Sequence, residues 1–195
     1  MCILLTEYIS SSFYESRLKS HPITKERSVS LELKEIKNEG VFYLPVDHQD
    51  CTQKSDKEAK IIKDYCSKIL GKNYTEDKQK KKITLDDIMM VAPFNMQVNN
   101  LKKILNKKEA RIGTIDKFQG QESKVVFISM TSSDPENLPR HKEFFFSRNR
   151  LNVAISRAQC VAVILFNPKL LLADCQKINE IRLVNNFCKL LQYKV

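Results

Sequence analysis

A ten-residue segment with the sequence GTIDKFQGQE, from Gly113 to Glu122, has residue types suited to binding a phosphorylated ligand. Its two glycines permit tight turns and a close approach of the backbone to a ligand. Thr114, Gln121 and Glu122 supply neutral and charged hydrogen-bonding groups. The segment therefore suits contacts with phosphate, ribose or base, and the alternative is an ordinary loop that leads into a strand.

A second segment, from Arg150 to Ala158, combines two arginines with an apolar helical face. The apolar residues recur at helical spacing and predict one buried face, formed by Leu151, Ala154, Ile155 and Ala158. Arg150 and Arg157 are seven residues apart and share another stripe. An arginine held by a rigid helix suits the charge that develops on a transferring γ-phosphoryl group, because its planar fork pairs with oxygen atoms and stays ionised. The alternative is a solvated surface arginine.

The elements around these segments predict an α/β domain with a central, mainly parallel sheet flanked by helices. Continuous apolar runs at residues 125–130 and 161–166 are typical of strands covered on both faces. Residues 41–46 and 88–92 predict two more strands. Ligands gather at strand ends in such sheets, so the two polar segments are site candidates.

Helices are predicted at residues 3–20, from a capping box at Ser55 to Leu70, and after Asn95 as N-cap. A last helix is predicted from the apolar stripe Ile181, Val184, Cys188 and Leu191. Residues 71–82 have no apolar periodicity and predict an exposed loop whose lysine run is solvated.

Composition indicates a soluble globular protein without a membrane span or signal peptide. Apolar residues make up 42% of the 195 residues, and charged residues 29%. Six scattered cysteines favour reduced, mostly buried thiols over a zinc site or a disulfide framework, and no metal site is expected. The formal charge of +10 favours salt-sensitive binding of polyanions, although a lysine-rich surface also occurs for solubility alone.

Together, the two segments resemble motifs V and VI of superfamily 1B helicases, the group that contains the nonsense-mediated-decay helicase and senataxin. GTIDKFQGQE is similar to motif V, and RLNVAISRA, from Arg150, is similar to motif VI. Residues 91–97 (VAPFNMQ) resemble motif IV, and residues 7–18 resemble the helix after motif IIIa. The resemblance covers nearly the whole chain and implies the second RecA-like domain of a helicase, with a P-loop NTPase fold. Residues 1–40 would form a lead-in helix and polar segment, and residues 41–195 the α/β core.

The resemblance implies a half-site for ATP. Arg157 would be an arginine finger in cis that contacts the γ-phosphate of ATP, which is bound with Mg²⁺ mainly by the first RecA-like domain. Glu122 would hold the ribose hydroxyls, and Gly120 and Gln121 would shape the loop. Arg150 is a second candidate for the phosphate region.

The resemblance also implies contacts with the backbone of single-stranded DNA or RNA. The residues implied are Thr114 of motif V and, in the motif IV loop, Pro93, Phe94, Asn95 and Gln97. Contacts with phosphate and sugar position a strand without reading its sequence, so little base specificity is expected.

Neither Walker motif occurs in the 195 residues. The only Gly-Lys pair, at Gly71, lacks the upstream glycine and the following Ser or Thr of a phosphate-binding loop. Asp86 and Asp87 precede their strand, whereas Walker B carboxylates end one. We therefore expect no tight ATP binding by the chain alone, and a first RecA-like domain, in cis or in trans, as partner.

The first residues align inside motif IIIa, which predicts a fragment of a longer protein. One interpretation is the C-terminal half of an ATP-dependent motor. The alternative is a non-catalytic nucleic-acid-binding or interaction module, so the sequence leaves open whether the chain itself is an enzyme. A stand-alone nuclease is disfavoured because no carboxylate cluster has metal-ligand spacing. Residues 143–157 are most similar to bacterial members, which predicts a bacterial cytoplasmic protein.

Overall fold

The computed structural model describes residues 1–136, 138, 146–175 and 177–192. Its centre is a five-stranded sheet in the order β2-β8-β7-β5-β6, with every neighbouring pair parallel. The strands are β2 (Gly40–Pro45), β5 (Ile88–Val91), β6 (Arg111–Gly113), β7 (Ser123–Ser129) and β8 (Ala158–Phe166). The predicted central parallel sheet is therefore confirmed.

Helices cover both faces of this sheet. Helices α1 (Ile3–Phe13), α4 (Arg148–Ile155) and α5 (Ile178–Gln192) pack on one face, and α2 (Asp56–Ile69) and α3 (Asn95–Leu105) pack on the other. Successive strand residues alternate between the faces, so Val126 joins the first core and Phe127 the second. This two-sided burial explains the continuous apolar runs within β7 and β8. No helix in the described ranges is long and apolar enough to cross a membrane.

Helix α1 ends at Phe13, well before the predicted end at residue 20. Glu15 and Ser16 have positive φ angles of 53° and 61°, which a right-handed helix cannot accommodate. The Leu18 amide donates to the Ser10 hydroxyl at 2.8 Å and folds the chain back on the helix end.

The predicted capping box of α2 is half confirmed. The Ser55 hydroxyl accepts a hydrogen bond from the Glu58 amide at 3.2 Å. Glu58 does not return the bond, because its carboxylate is buried in the protein, and the Ser55 amide donates to Gln97 Oε1 at 2.9 Å instead. The predicted N-cap of α3 is wrong by one residue, since Phe94 occupies that position and Asn95 begins the helix.

The predicted loop at residues 71–82 is a β-hairpin. Strand β3 (Asn73–Glu76) pairs with β4 (Gln79–Lys82) on one side and with β1 (Ser28–Ser30) on the other. The three strands form an antiparallel sheet, called here the small sheet, in the order β1-β3-β4. Its edge strand β4 is exposed at every residue, so the predicted exposure is confirmed although the predicted lack of structure is wrong.

The last helix, α5, is found where it was predicted. Val184 is buried in the core and Cys188 packs against it, whereas Ile181 is 45% exposed. The side chain of Leu191, the last member of the predicted stripe, lies outside the described set. Residues 143–145, which belong to the segment similar to bacterial helicases, lie outside the described residues altogether.

Candidate functional site

The segment Gly113 to Glu122 crosses from one edge of the sheet to the other. Gly113 ends β6 at the carboxyl edge, and Ser123 begins β7 at the amino edge, where it lies opposite Ala158. The carboxyl edge is the one at which the parallel strands end, and the amino edge is the one at which they begin. The structure thus places Gln121, Glu122 and Arg157 together at the amino edge and Thr114 at the carboxyl edge.

The two glycines of this segment constrain it in different ways. A Cβ atom on Gly113 would lie 2.7 Å from the Lys117 side chain and 3.0 Å from the Phe118 ring, so a larger residue there would require these side chains to shift. Gly120 has a φ of +78°, a conformation that other residues rarely adopt. The turn that leads to Gln121 and Glu122 therefore favours glycine at position 120.

Arg157 lies in the turn after α4, not on the helical stripe predicted for it. Its guanidinium donates through Nε to the Val153 carbonyl at 3.0 Å, through Nη2 to the Ser156 hydroxyl at 3.1 Å, and through Nη1 to the Gln121 carbonyl at 3.4 Å. These bonds use three of the five guanidinium N–H groups, and the other two have no partner among the described residues. Arg157 is thus a half-exposed cation whose orientation is fixed by three hydrogen bonds and whose other two N–H groups can donate to a ligand.

Arg111, which the sequence did not single out, fixes the Gln121–Glu122 loop. Its Nη2 donates to Gln121 Oε1 at 3.0 Å and its Nη1 to the Glu122 carbonyl at 3.0 Å. Arg111 begins β6, two residues before Gly113. This proximity to the candidate segment is the feature of the sequence that could have identified Arg111 as part of the site.

The Glu122 carboxylate is exposed at the amino edge. Its Oε2 accepts a hydrogen bond from Gln159 Nε2 at 2.9 Å, while Oε1 has no partner in the part of the chain that the structure describes. Gln159 lies on β8 and was also missed by the sequence analysis.

Arg150 does not lie beside Arg157. It stands in the first turn of α4, where Nη1 is 3.7 Å from Asp116 Oδ2. Together with Pro93, Ile115 and Leu151 it lines an apolar cleft at the carboxyl edge. The structure therefore groups Arg150 with the residues expected to contact nucleic acid, not with the phosphate region.

Only part of the motif IV loop faces solvent. Asn95 is exposed and Pro93 and Thr114 are half-buried, whereas Phe94 is 5% exposed and packs in the core. Gln97 is fully buried, and its Nε2 donates to the Ser129 hydroxyl at 3.0 Å and to the Ser55 carbonyl at 3.1 Å. A buried, fully bonded amide cannot reach a strand in this conformation, so Gln97 positions the loop instead of making the expected contact.

A buried polar cluster below this loop was missed by the sequence analysis. The Glu58 carboxylate, with 0% of its surface exposed, accepts hydrogen bonds from the Ser129 hydroxyl, the Thr131 amide at 3.0 Å and His48 Nε2 at 2.9 Å. Ser129 in turn is the partner of Gln97. These bonds fix the loops after β2, β5 and β7 to the start of α2.

Comparison with known protein families gives one match over most of the chain. A family model described as an AAA domain, AAA_12, matches residues 1–169.

Curated relatives match over shorter stretches. The chain is 33% identical over 128 residues to the putative helicase mov-10-B.1 of Danio rerio, with 58% of the chain and 12% of that protein covered. It is 34% identical over 99 residues to the probable RNA helicase armi of Drosophila melanogaster, with 47% and 8% covered. It is 28% identical over 172 residues to the DNA-binding protein SMUBP-2 of Mesocricetus auratus, with 80% and 16% covered.

The chain thus spans between 8% and 16% of the length of these three relatives. All three are animal proteins, and the predicted bacterial source and cytoplasmic location stay predictions.

Proposed function

We propose that this chain, which belongs to the AAA_12 family of AAA domains, is the C-terminal RecA-like motor domain of an ATP-dependent superfamily 1 DNA or RNA helicase. The relatives named as helicases support the general class. The observation that carries the proposal is the junction at the amino edge, where Arg157 donates to the Gln121 carbonyl beside Glu122.

The two side chains at this junction suit opposite ends of a nucleotide. Arg157 keeps two unpartnered N–H groups, within the described residues, for the oxygens of a γ-phosphate. Glu122 keeps Oε1 as an acceptor for ribose hydroxyls. The phosphates of ATP and the Mg²⁺ ion would be bound mainly by a first RecA-like domain, since this chain has neither Walker motif.

The carboxyl edge suits a single strand of nucleic acid. Thr114, Pro93 and Asn95 lie there at least partly accessible to solvent, and Arg150 lines the same cleft as Pro93. Polar groups and a cation in this arrangement hold phosphate and sugar without reading bases. Segment 113–122 joins this edge to the amino edge and so connects strand binding to the nucleotide.

The test is a fusion in which a first RecA-like helicase domain that carries both Walker motifs precedes this chain. We expect nucleic-acid-stimulated ATP hydrolysis, and Arg157→Ala should lower kcat about 10³-fold or more because the transition-state charge loses its partner. Arg157→Lys should remain poor because lysine lacks the fork. The matched control is Arg182→Ala, which removes an exposed arginine from α5.

Unchanged kcat in Arg157→Ala would contradict the finger role. Strong ATP hydrolysis by the isolated chain would contradict its dependence on a first domain.

The second candidate is a non-catalytic nucleic-acid-binding module, and the observation in its favour is the net charge of +10. Tight, salt-dependent binding of a single strand by the chain alone, with no ATP hydrolysis in the fusion, would favour this candidate over the motor domain.

A further inference from the structure

We propose that Gln159 and Lys124 are positioning residues for Glu122, forming a hydrogen-bonded relay that runs from the small sheet to the carboxylate facing the nucleotide ribose. The relay consists of Glu76, Lys124, Gln159 and Glu122, in that order. It rests on the proposed function, because Glu122 is assigned to the ribose only there.

The orientation of the Gln159 amide is fixed by chemistry. Lys124 Nζ lies 2.7 Å from Gln159 Oε1, and an ammonium group only donates, so the amide oxygen must be on that side. The amide nitrogen then faces Glu122 and donates to Oε2 at 2.9 Å. A flipped amide would lose both bonds, so Gln159 has one favourable orientation.

Lys124 is itself anchored. Its side chain is only 9% exposed, Nζ donates to Glu76 Oε1, and Nζ lies 4.9 Å from the centre of the Tyr74 ring. Glu76 and Tyr74 both belong to β3, the central strand of the small sheet. The relay therefore begins on a folded element and not on a mobile surface group.

Glu76 stays charged at neutral pH. The hydrogen bond from Lys124 is the main cause that lowers the pKa of its carboxyl group, and the charges of Arg27 and Lys81 act in the same direction. Arg27 Nε is 3.6 Å from Glu76 Oε1 and Lys81 Nζ is 3.8 Å from Oε2. An ionised Glu76 holds the Lys124 ammonium at the point where Gln159 meets it.

The relay determines which oxygen of Glu122 a ligand meets. Oε2 accepts the hydrogen bond from Gln159. Oε1 accepts none from the described residues and can therefore accept one from a ligand. A ribose offers two vicinal hydroxyl donors, and a 2′,3′-dideoxyribose offers none. Discrimination between these two sugars should therefore depend on Gln159 and Lys124 as well as on Glu122.

The experiment uses the fusion described above and compares KM for ATP with KM for 2′,3′-dideoxy-ATP. The ratio measured is KM for 2′,3′-dideoxy-ATP divided by KM for ATP. Glu122→Ala should reduce this ratio to near one. Methionine has a similar length to glutamine but no amide, so Gln159→Met no longer holds the Glu122 carboxylate in place. The ratio should fall by about tenfold, which corresponds to the loss of one hydrogen bond between Glu122 and the ribose. In Gln159→Met, single-strand binding and kcat at saturating ATP should stay unchanged.

Gln159→Glu is the second variant. It keeps the contact with Lys124 but places a carboxylate against Glu122, so the same loss of discrimination is expected. Gln49→Met is the matched control, since Gln49 is exposed and outside the relay.

The outcomes separate the two proposals. A ratio that falls in Glu122→Ala but stays at the unmodified value in both Gln159 variants would overturn the relay alone. A ratio that is unchanged in Glu122→Ala would overturn the ribose assignment and the relay with it. The result we expect is a fall in all three variants, with the thermal midpoint preserved in each and kcat at saturating ATP preserved in the two Gln159 variants.

Discussion

The Glu58 carboxylate is buried and joins the start of α2 to the loop after β2 and to the end of β7. Ser55 and Glu58 have capping-box spacing, yet the carboxylate faces His48, Ser129 and Thr131 inside the protein. Local spacing is compatible with either role, because the distant partners come from loops that only the fold brings to α2. The same reasoning applies to Gln97, for which the resemblance to motif IV implies a nucleic-acid contact although its partners are internal.

We expect Glu58→Ala to destabilise the chain by about 3–5 kcal/mol, because three buried groups lose their hydrogen-bond partner and each such loss costs about 1–3 kcal/mol. Glu58→Gln keeps the shape and one acceptor oxygen, so its loss should be smaller. Urea unfolding measures both, with Glu7→Ala on the exposed side of α1 as the control. Equal stability of Glu58→Ala and Glu7→Ala would contradict the role assigned to this carboxylate.

The six cysteines are free thiols, and three of them are buried, whereas the sequence predicted that most would be. Burial raises the pKa of the Cys2 thiol to about 12 and that of Cys160 to about 11. In the unfolded chain these thiols ionise near pH ~8.5. The stability that they contribute is therefore fully present below that pH and is lost as pH rises towards 11 and 12.

The corresponding prediction concerns alkaline stability. The free energy of unfolding should fall between about pH 8.5 and 11, and the double variant Cys2→Ala, Cys160→Ala should show a shallower fall because two of the titrating groups are gone. Urea unfolding at a series of pH values checks this. Parallel pH profiles of the two proteins would show that other groups cause the fall.

Among the elements, the β3–β4 hairpin has a turn that its sequence suits poorly. Asp77 and Lys78 both have positive φ angles, 51° and 62°, as in the type I′ turns that favour Asp-Gly. We expect Lys78→Gly to stabilise the chain by about 1 kcal/mol, since a left-handed lysine is strained. For a chain of this size the thermal midpoint should rise by about 2–4 °C.

Lys78→Ala is the control for that substitution. It removes the exposed ion pair with Glu26, which is worth little, but keeps a Cβ atom, so no gain is expected. A similar gain in both variants would mean that charge, not backbone conformation, limits the hairpin.

The elements differ in how far the sequence predicts them. Strands β5, β7 and β8 were predictable because each contains a continuous apolar run of at least four residues, which follows from burial on both faces. The hairpin was not, because β4 is wholly exposed and only Tyr74 of β3 is buried, so no apolar alternation marks it. Likewise the motif resemblance indicated the segments of the site, but not Arg111 or Gln159, which act through neighbours that the sheet brings together.

At the scale of the whole molecule, the two candidate sites lie at opposite edges of one sheet. Strand β7 has seven residues, so the edges are separated by roughly 20 Å. Segment 113–122 runs from the carboxyl edge to the amino edge, and Arg111 donates hydrogen bonds to Gln121 and Glu122 at its amino-edge end. This separation makes the two arginines of motif VI distinguishable by experiment, since Arg150 lies at one edge and Arg157 at the other.

Salt dependence of single-strand binding is the measurement that separates these edges. Each phosphate contact contributes about −0.7 to the slope of log K against log salt for single strands. We expect Arg150→Ala to weaken binding of a labelled oligonucleotide and to make this slope shallower by about 0.7, because its guanidinium borders the cleft with Pro93. Arg157→Ala removes the same charge at the amino edge and should leave both affinity and slope unchanged. Fluorescence anisotropy over a range of salt concentrations distinguishes the two, and equal slopes in both variants would place the strand along a general basic surface instead of the carboxyl edge.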